Sequence, residues 1–223
     1  MILWALAKYF PDAKNFLEIG CGNGFVLAGI RSEHPDIELS GSEIYGRGLH
    51  FTAKRVPSAA LYQIDATRIP FHDHFDVIGA FDVLEHIRDD ERVLKEMHNA
   101  VRNKGGGILL SVPQHAFLWS VVDEFSCHFR RYSAQELSTK VEQAGFRIST
   151  ITSFMSFVLP LMIAARWQRK KQSVKDFDPG SEFRLPGVIN KTLEAVLDVE
   201  RATIAGGMRW PASGSLLLVA RAE

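Results

Sequence analysis

The chain carries the sequence LEIGCGNG at residues 17–24, where an apolar strand runs into a helix through three glycines spaced two apart. Glycines at such a turn let the backbone approach a ligand closely and adopt angles that other residues avoid. A dinucleotide fingerprint, G-x-G-x-x-G, would need its last glycine at position 25, which is Phe25. Glu18 would also repel a pyrophosphate, because two like charges would share one small pocket. The turn therefore predicts a nucleoside site for a ligand that brings a cation instead of a phosphate tail.

Composition limits the classes of protein to consider. The chain has 223 residues, of which 46% are hydrophobic and 23% are charged, and these are ordinary values for a globular domain. Its formal net charge is zero, which gives no support for nucleic acid as a partner. The two cysteines, Cys21 and Cys127, form no C-x-x-C pair and are too few for a disulfide framework. We therefore expect a cytoplasmic protein with no metal site and no nucleic-acid partner.

The order of predicted elements favours one fold class. Short apolar runs alternate with helical patterns, as in a doubly wound α/β domain with a mostly parallel, seven-stranded sheet. The predicted strands are 16–19, 37–43, 60–65, 75–81, 108–112, 146–152 and 215–220. The predicted helices between them are 24–33, 47–55, 90–103 and 134–144, with a further one over 188–204.

A long segment before the last strand interrupts this alternation. We expect residues 1–153 and 211–223 to form one domain and residues 154–210 to be a helical insertion or cap. The insertion opens with the apolar stretch 151–165, which is too short to span a bilayer, and continues into the basic run RWQRKK at 166–171. Two interpretations of 151–171 stay open. One is peripheral contact with the inner face of a membrane, and the other is a cap helix packed on the core or on a second copy.

Residues 18–24 resemble motif I of class I S-adenosylmethionine-dependent methyltransferases, E/D-x-G-x-G-x-G, and further features follow in the family's order. Glu43 ends the second predicted strand, 19 residues after Gly24, and Asp65 and Ala66 end the third. The run FDVIGAFDVLEH at 75–86 resembles the fourth strand and its D-x-L-E-H turn, and a glycine run at 105–107 precedes the fifth strand. The resemblance covers about residues 13–150 and implies a Rossmann-like methyltransferase fold, with S-adenosylmethionine as cofactor and S-adenosylhomocysteine as product.

The resemblance also implies roles for individual residues. Glu18 would face the ammonium of the cofactor, the amides of residues 20–24 its carboxylate, and Glu43 the ribose hydroxyls. Ile44 would pack on the adenine, and Asp65 would face the adenine amino group, unless it only caps the next turn. The predicted cofactor-binding residues are Glu18, Gly20, Cys21, Gly22, Gly24, Glu43, Ile44, Asp65, Ala66 and Phe81.

A second cluster, DEFSCHFRRY at 123–132, resembles the H-x-R-R-Y segment of a bacterial subgroup that acts on small or lipid-like molecules. His128 is the candidate general base, since the ordinary pKa of histidine is about 6.5. Asp82, at the carboxyl end of the fourth strand, is predicted either to line the catalytic site or to be structural. The arginines at 130 and 131 would bind an anionic acceptor, or else pair with Asp123 or Glu124 and order a lid.

These features predict an enzyme of class EC 2.1.1 that transfers a methyl group to an oxygen or carbon of a small or lipid-like acceptor. The alternative from another class is a non-catalytic cofactor-binding or scaffold domain of the same fold. An NAD(P)-dependent oxidoreductase is disfavoured by Phe25 and Glu18. The chain begins about 15 residues before the first predicted strand, so we also expect either an open site or a truncated gene start.

Overall fold

A single seven-stranded sheet organises the computed structural model, which describes residues 1–103, 105–168, 174, 177, 178, 180 and 187–223. Its strands are β1 (Asn15–Ile19), β2 (Glu38–Glu43), β3 (Ala60–Gln63), β4 (Val77–Phe81), β5 (Gly107–Pro113), β6 (Phe146–Phe154) and β7 (Ser215–Ala222). They lie in the order β3-β2-β1-β4-β5-β7-β6. All neighbours pair in parallel except β7, which is antiparallel to both β5 and β6. The predicted doubly wound, mostly parallel α/β fold is confirmed.

Helices connect the strands and cover both faces of the sheet. They are α1 (Ile2–Tyr9), α2 (Phe25–Glu33), α3 (Gly46–Arg55), α4 (Asp90–Ala100), α5 (Val121–Phe125), α6 (Ala134–Gln143), α7 (Leu159–Gln168) and α8 (Gly187–Ala205). Single 3-10 turns lie at Leu84–His86 and Ala116–Leu118. The helix α5 and both 3-10 turns were not predicted, because each is too short to show a periodic pattern.

The apolar strands explain why the sheet is central. Every residue of β5 is buried, and so are four of the five residues of β4. One apolar core packs on each face of the sheet, with Met97 of α4 in the first and Leu27 of α2 in the second. A strand covered on both faces reads as a continuous apolar run, and for this reason these strands could be predicted from the sequence.

Two boundaries differ from the predictions in ways that affect the site. Strand β3 ends at Gln63, so Asp65 and Ala66 lie in the following turn and not at the strand end. The apolar stretch 151–165 is not one segment, because residues up to Phe154 belong to β6 and α7 begins only at Leu159. Apolarity alone does not distinguish a buried strand end from the helix that follows it.

The topology brings several chain turns to one edge. Strands β1 and β4 are neighbours, while their successors along the chain lie on opposite sides, so the strand order reverses between them. In open α/β sheets ligands bind outside the carboxyl ends of the strands at this reversal. The edge receives the glycine turn after β1, Glu43 at the end of β2 and Asp82 after β4.

The segment between β6 and β7 contains α7 and α8, and the division of the chain into a core and an insertion stays a prediction. The basic residues at 169–171 lie outside the described residues, and so do most of those at 172–186. Among the described helices, none combines the length and apolarity needed to cross a bilayer.

Candidate active site at the carboxyl edge of the sheet

The glycine turn has the strained geometry that its sequence predicts. Gly20, Gly22 and Gly24 all have positive φ, at 67°, 49° and 74°. A side chain at Gly20 would meet Val83 at 2.5 Å, whereas one at Gly22 would find open space. The turn therefore needs glycine at position 20 for both backbone conformation and close packing.

Several amides of this turn are already engaged within the protein. The amide of Cys21 donates to the Ser42 carbonyl at 2.9 Å, and that of Gly24 donates to the Cys21 carbonyl at 2.8 Å. The amide of Gly22 donates to a carboxylate oxygen of Glu43 at 3.2 Å. The expectation that the whole turn cradles a carboxylate is thus too broad, because two of its amides hold the turn against β2 and a third closes the turn on itself.

The thiol of Cys21 packs in the core, whereas a contact of this residue with the cofactor stays a prediction. Cys21 is buried in the core with Leu27, and its sulfur lies 3.9 Å from the hydroxyl oxygen of Thr52. Burial raises the pKa of the thiol to about 11, so the side chain is a neutral packing group.

Glu18 is the most unusual side chain of the site. It is only 3% exposed, and among the described residues its Oε2 atom has no hydrogen-bond partner. Burial raises the pKa of Glu18 to about 8, well above the ordinary value for a carboxyl group. A buried carboxyl oxygen without a partner is costly unless a ligand completes it. The residue therefore fits a site for a cationic ligand group.

The larger cavity of the site has a volume of about 790 Å³ and lies over the ends of β1, β2 and β4. It is lined by five of the residues predicted to bind the cofactor, which are Gly20, Glu43, Ile44, Asp65 and Ala66. Ile44 presents 49% of its surface to solvent and offers an apolar contact for a flat ring. The structure thus brings together the residues that the sequence predicts for the nucleoside.

Asp65 is partly engaged by its own turn. Its Oδ1 atom accepts hydrogen bonds from the amide of Thr67 at 2.9 Å and from the hydroxyl of Thr67 at 2.8 Å. These bonds lower the pKa of Asp65. The capping interpretation is therefore correct for one oxygen, although the residue also lines the cavity.

A second cavity of about 550 Å³ opens beside the first. Glu18, Phe81, Ser111 and Asp82 line it together with residues of α8 such as Arg201. Phe81, predicted as a contact of the cofactor, lies in the wall of this second cavity together with Glu18, and its role stays a prediction. Asp82 lines both cavities and so marks their junction.

Asp82 has a backbone conformation that few residues with side chains adopt. Its φ is 53°, and its amide donates to the Ser111 carbonyl of β5 at 2.9 Å. Surrounding protein raises the pKa of Asp82 even though part of its side chain reaches solvent. Strained backbone of this kind often occurs at functional sites, and it favours the interpretation of Asp82 as a site residue.

The segment 123–132 is held by Asp123, which is fully buried. Its carboxylate accepts hydrogen bonds from Nδ1 of His128 at 3.0 Å, Nε of Arg131 at 2.7 Å and the Arg166 guanidinium at 3.1 Å. Although burial alone would raise it, the hydrogen bonds from His128 and Arg131 and the charges of Arg131 and Arg166 hold the pKa of Asp123 well below its ordinary value. The pairing of Arg131 with Asp123 was one of the two alternatives, and it is confirmed.

The arginines of this segment therefore do not serve as free anion ligands. Arg131 is paired with Asp123, and Arg130 lies 2.7 Å from Asp90. Arg166, predicted as part of a basic flank facing a membrane, contacts Asp123 and the Ser120 hydroxyl. These contacts dock the segment 123–132 between α4 and α7.

Two residues of the D-x-L-E-H turn lie at the site although they were not among the predicted site residues. His86 lines the larger cavity, and its ring packs edge-on against His128 with 4.6 Å between centroids. Glu85 is 1% exposed, and neither carboxylate oxygen has a hydrogen-bond partner within the described part of the chain. Burial, followed by the nearby charge of Asp82, raises the pKa of Glu85 to about 8. The motif itself was the signal, because it places an acid and a histidine directly after a strand at the ligand-binding edge.

Known proteins resemble this chain over the same region. A family model described as a methyltransferase domain matches residues 2–151. A probable S-adenosylmethionine-dependent methyltransferase of Mycobacterium tuberculosis is 25% identical over 143 residues, which are 60% of this chain and 49% of that protein. Ajmaline N-methyltransferase of Rauvolfia serpentina is 24% identical over 210 residues, or 84% of this chain and 68% of that protein. The chain thus spans about half the length of its mycobacterial relative.

Solved structures share the fold. Phosphoethanolamine N-methyltransferase 2 of Haemonchus contortus, in complex with S-adenosyl-L-methionine, superposes with a TM-score of 0.64 at 16% identity. The match covers 99% of this chain and 51% of that one. Because the family model matches well over half of the residues, including the glycine turn and the strand ends that line the cavities, the chain belongs to the methyltransferase-domain family.

Proposed function

We propose that this protein transfers the methyl group of S-adenosylmethionine to an oxygen or carbon of a small, largely apolar acceptor. The comparisons support S-adenosylmethionine as the cofactor. The observation that carries the proposal is the pair of adjoining cavities with Asp82 in the wall of both. One cavity has the residues for a nucleoside, and the other has Glu18 and an apolar lining.

Residues of the two cavities suit the ammonium and the ribose of the cofactor. The unpartnered Oε2 atom of Glu18 suits an ammonium, and Glu43 at the rim of the larger cavity suits a ribose. When bound, S-adenosylmethionine supplies a methyl group that its sulfonium already activates. The protein then has to hold the acceptor in line with that methyl group and to remove a proton from it.

The lining of the second cavity supports a small, largely apolar acceptor. Most of its side chains are apolar, and they include Ile2, Val26, Phe81, Phe154, Leu197 and Ile204. A small apolar molecule would bury its surface there, while Asp82 and Ser111 offer polar contacts at the junction. The acceptor would therefore present one polar atom toward Asp82 and its apolar body toward α8.

His128 is the residue that we propose for activating the acceptor, together with Asp82. The hydrogen bond from Nδ1 to Asp123 fixes the orientation of the ring and leaves Nε2 available. Replacing His128 with Ala should lower turnover steeply and leave the affinity for S-adenosylhomocysteine unchanged. An unchanged turnover would remove His128 from the mechanism.

The assay for the proposed function uses S-adenosylmethionine with a labelled methyl group and a small-molecule extract of cells that express the protein. We expect label in the organic-extractable fraction with the wild type, and a large loss of that label with Asp82→Asn. A chain that binds S-adenosylhomocysteine and transfers no label would contradict methyl transfer. That result would favour the alternative of a non-catalytic cofactor-binding or scaffold domain.

Membrane contact and membership of the H-x-R-R-Y subgroup both stay predictions. Helix α7 exposes Leu161, Ile163 and Trp167, and these side chains support a contact with an apolar partner such as a lipid surface. Flotation with anionic vesicles tests this, with the double substitution Leu161→Ser and Trp167→Gln. A lipid-like acceptor requires flotation of the wild type and its loss in the variant. Absence of the wild type from the vesicle fraction would leave a soluble small molecule as the acceptor.

A further inference from the structure

We propose that Glu85, His86 and His128 bind a divalent transition-metal ion at the wall of the larger cavity. One ligand atom from each residue lies within 4.8 Å of those of the other two. Bonds of about 2.0–2.2 Å to nitrogen or oxygen at the tetrahedral angle put two ligand atoms of one ion about 3.4 Å apart. Small rotations of the side chains would therefore close the three ligands on one ion.

The carboxylate of Glu85 is the first argument for an ion. Glu85 is 1% exposed, and neither of its oxygens has a partner among the residues that the structure describes. A buried carboxyl group in this state lacks the hydrogen bonds that normally offset its desolvation. A cation between Glu85 and the two histidines would supply the missing interaction.

The orientation of His128 is the second, independent argument. Its Nδ1 atom is 3.0 Å from the carboxylate of Asp123, which is itself fixed by Arg131. Metal-binding histidines typically use one ring nitrogen for the ion and the other for a carboxylate or carbonyl. The Asp123–His128 pair has this arrangement, because Nδ1 is bonded to Asp123 and Nε2 remains for the ion.

A backbone hydrogen bond joins the two segments that carry the three ligands. Glu85 and His86 share the 3-10 turn after β4, and the amide of Phe129 donates to the Glu85 carbonyl at 2.7 Å. This bond docks the residue after His128 directly on the turn that carries the other two ligands. A backbone hydrogen bond, which does not involve the ligating side chains, thus brings the two distant segments together.

The donor set selects the class of ion. Two imidazoles and one carboxylate suit Zn²⁺, Mn²⁺ or Co²⁺, whereas Mg²⁺ and Ca²⁺ prefer oxygen ligands throughout. Because His86 lines the cavity, an ion there would have an open coordination position toward the acceptor. A hydroxyl bound at that position would lose its proton to solvent more readily, and His128 would then activate the acceptor through the ion. Only this catalytic consequence rests on the proposed function.

Titration of the chelator-treated full-length chain with Co²⁺ tests the site by visible absorption, and calorimetry with Zn²⁺, Mn²⁺ and Mg²⁺ tests its selectivity. We expect one Co²⁺ per chain, and a loss of affinity of roughly 100-fold or more in Glu85→Gln, which removes a direct ligand. His72→Gln, at an exposed histidine outside the cluster, is the matched control and should bind like the wild type. His86→Asn is a second variant for the case that Glu85→Gln does not fold, since His86 is at the surface.

Stoichiometric binding that is equally tight in the wild type, Glu85→Gln and His86→Asn would overturn the proposal, as would the absence of binding of any of the transition ions. Binding of Mg²⁺ alone would overturn the assigned class of ion. Calorimetry with S-adenosylhomocysteine on the same samples separates the two proposals. Ion binding without S-adenosylhomocysteine binding contradicts only the cofactor site, and the reverse result contradicts only the ion site.

Discussion

Glu18 combines burial, an unpartnered oxygen and a raised pKa, and these properties together make its ionisation dependent on a ligand. In the free protein its carboxyl group keeps a proton up to about pH 8. A bound ammonium would favour the ionised form, so binding would release that proton at neutral pH. We therefore expect Glu18 to couple cofactor affinity to pH.

We expect the affinity for S-adenosylhomocysteine to rise by up to about tenfold per pH unit between pH 6 and 8 and to level off above pH 8. Glu18→Gln should bind more weakly and lose this dependence. Calorimetry across that pH range measures both effects. An affinity of the wild type that does not change with pH would contradict the role of Glu18.

The same pKa shift makes an opposite prediction for stability. Above its ordinary value of 4.5 the unfolded chain releases a proton that folded Glu18 retains until about pH 8. Its contribution to the stability of the ligand-free protein is therefore lost as the pH rises through that range. At pH 8, Glu18→Gln should raise the melting temperature by a few degrees. A lower melting temperature would mean that Glu18 has a partner in the folded protein.

The glycine turn offers a second test with a built-in control. Gly20→Ala forces a side chain to within 2.5 Å of Val83, whereas Gly22→Ala meets nothing within 4 Å. Both substitutions strain a positive φ, which costs about 1–2 kcal/mol for a residue with a side chain. Denaturant titration should find Gly20→Ala less stable than Gly22→Ala by a further 1–3 kcal/mol, roughly the cost of overpacking. Equal losses would mean that Val83 moves aside.

At the scale of elements, the segment 121–132 depends on one buried acid. Asp123 holds His128, Arg131 and Arg166, and Arg131 is itself almost fully buried. Asp123→Ala would leave a buried guanidinium without a counter-charge, which costs about 3–5 kcal/mol. Denaturant titration should reveal that loss, while Glu124→Ala at the exposed neighbouring position should stay within about 0.5 kcal/mol of the wild type. A small effect of Asp123→Ala would mean that solvent reaches Arg131 in the variant.

Elements with a continuous or periodic apolar pattern could be predicted from the sequence, and elements without one could not. The strands β4 and β5 and the helices α2 and α8 lie within a few residues of their predicted bounds. The helix α5 has only five residues, and the end of β6 merges into an apolar stretch without a change in composition. In both cases the structure depends on packing against distant residues, which leaves no local pattern in the sequence.

The features of the site also separate into those that could be predicted from the sequence and those that could not. Glu18, Glu43 and Asp65 could be predicted because each follows or ends a strand beside a recognisable motif. The engagement of the loop amides, the inward turn of Cys21 and the place of Phe81 in the second cavity depend on contacts between distant segments. The same is true of the meeting of Glu85 and His86 with His128, which are some 40 residues apart in the chain.

At the scale of the whole molecule, the order of the strands explains why these residues meet. The reversal between β1 and β4 gathers the ends of three parallel strands at one edge, and helix α8 closes the second cavity above them. The chain thus places the larger cavity and the second, mostly apolar cavity side by side, with Asp82 in the wall of both. That arrangement suits a reaction in which one group passes between two bound molecules.

The central claim is that the larger cavity binds the nucleoside of S-adenosylmethionine through Glu43. Calorimetry with S-adenosylhomocysteine on the wild type, Glu43→Gln and Glu38→Gln tests it most directly, since Glu38 is an exposed acid at the opposite end of the same strand. We predict one site per chain, unchanged affinity in Glu38→Gln, and a loss of about tenfold or more in Glu43→Gln, as for a lost hydrogen bond to a charged group. No binding to the wild type, or equal affinity in all three proteins, would contradict the account.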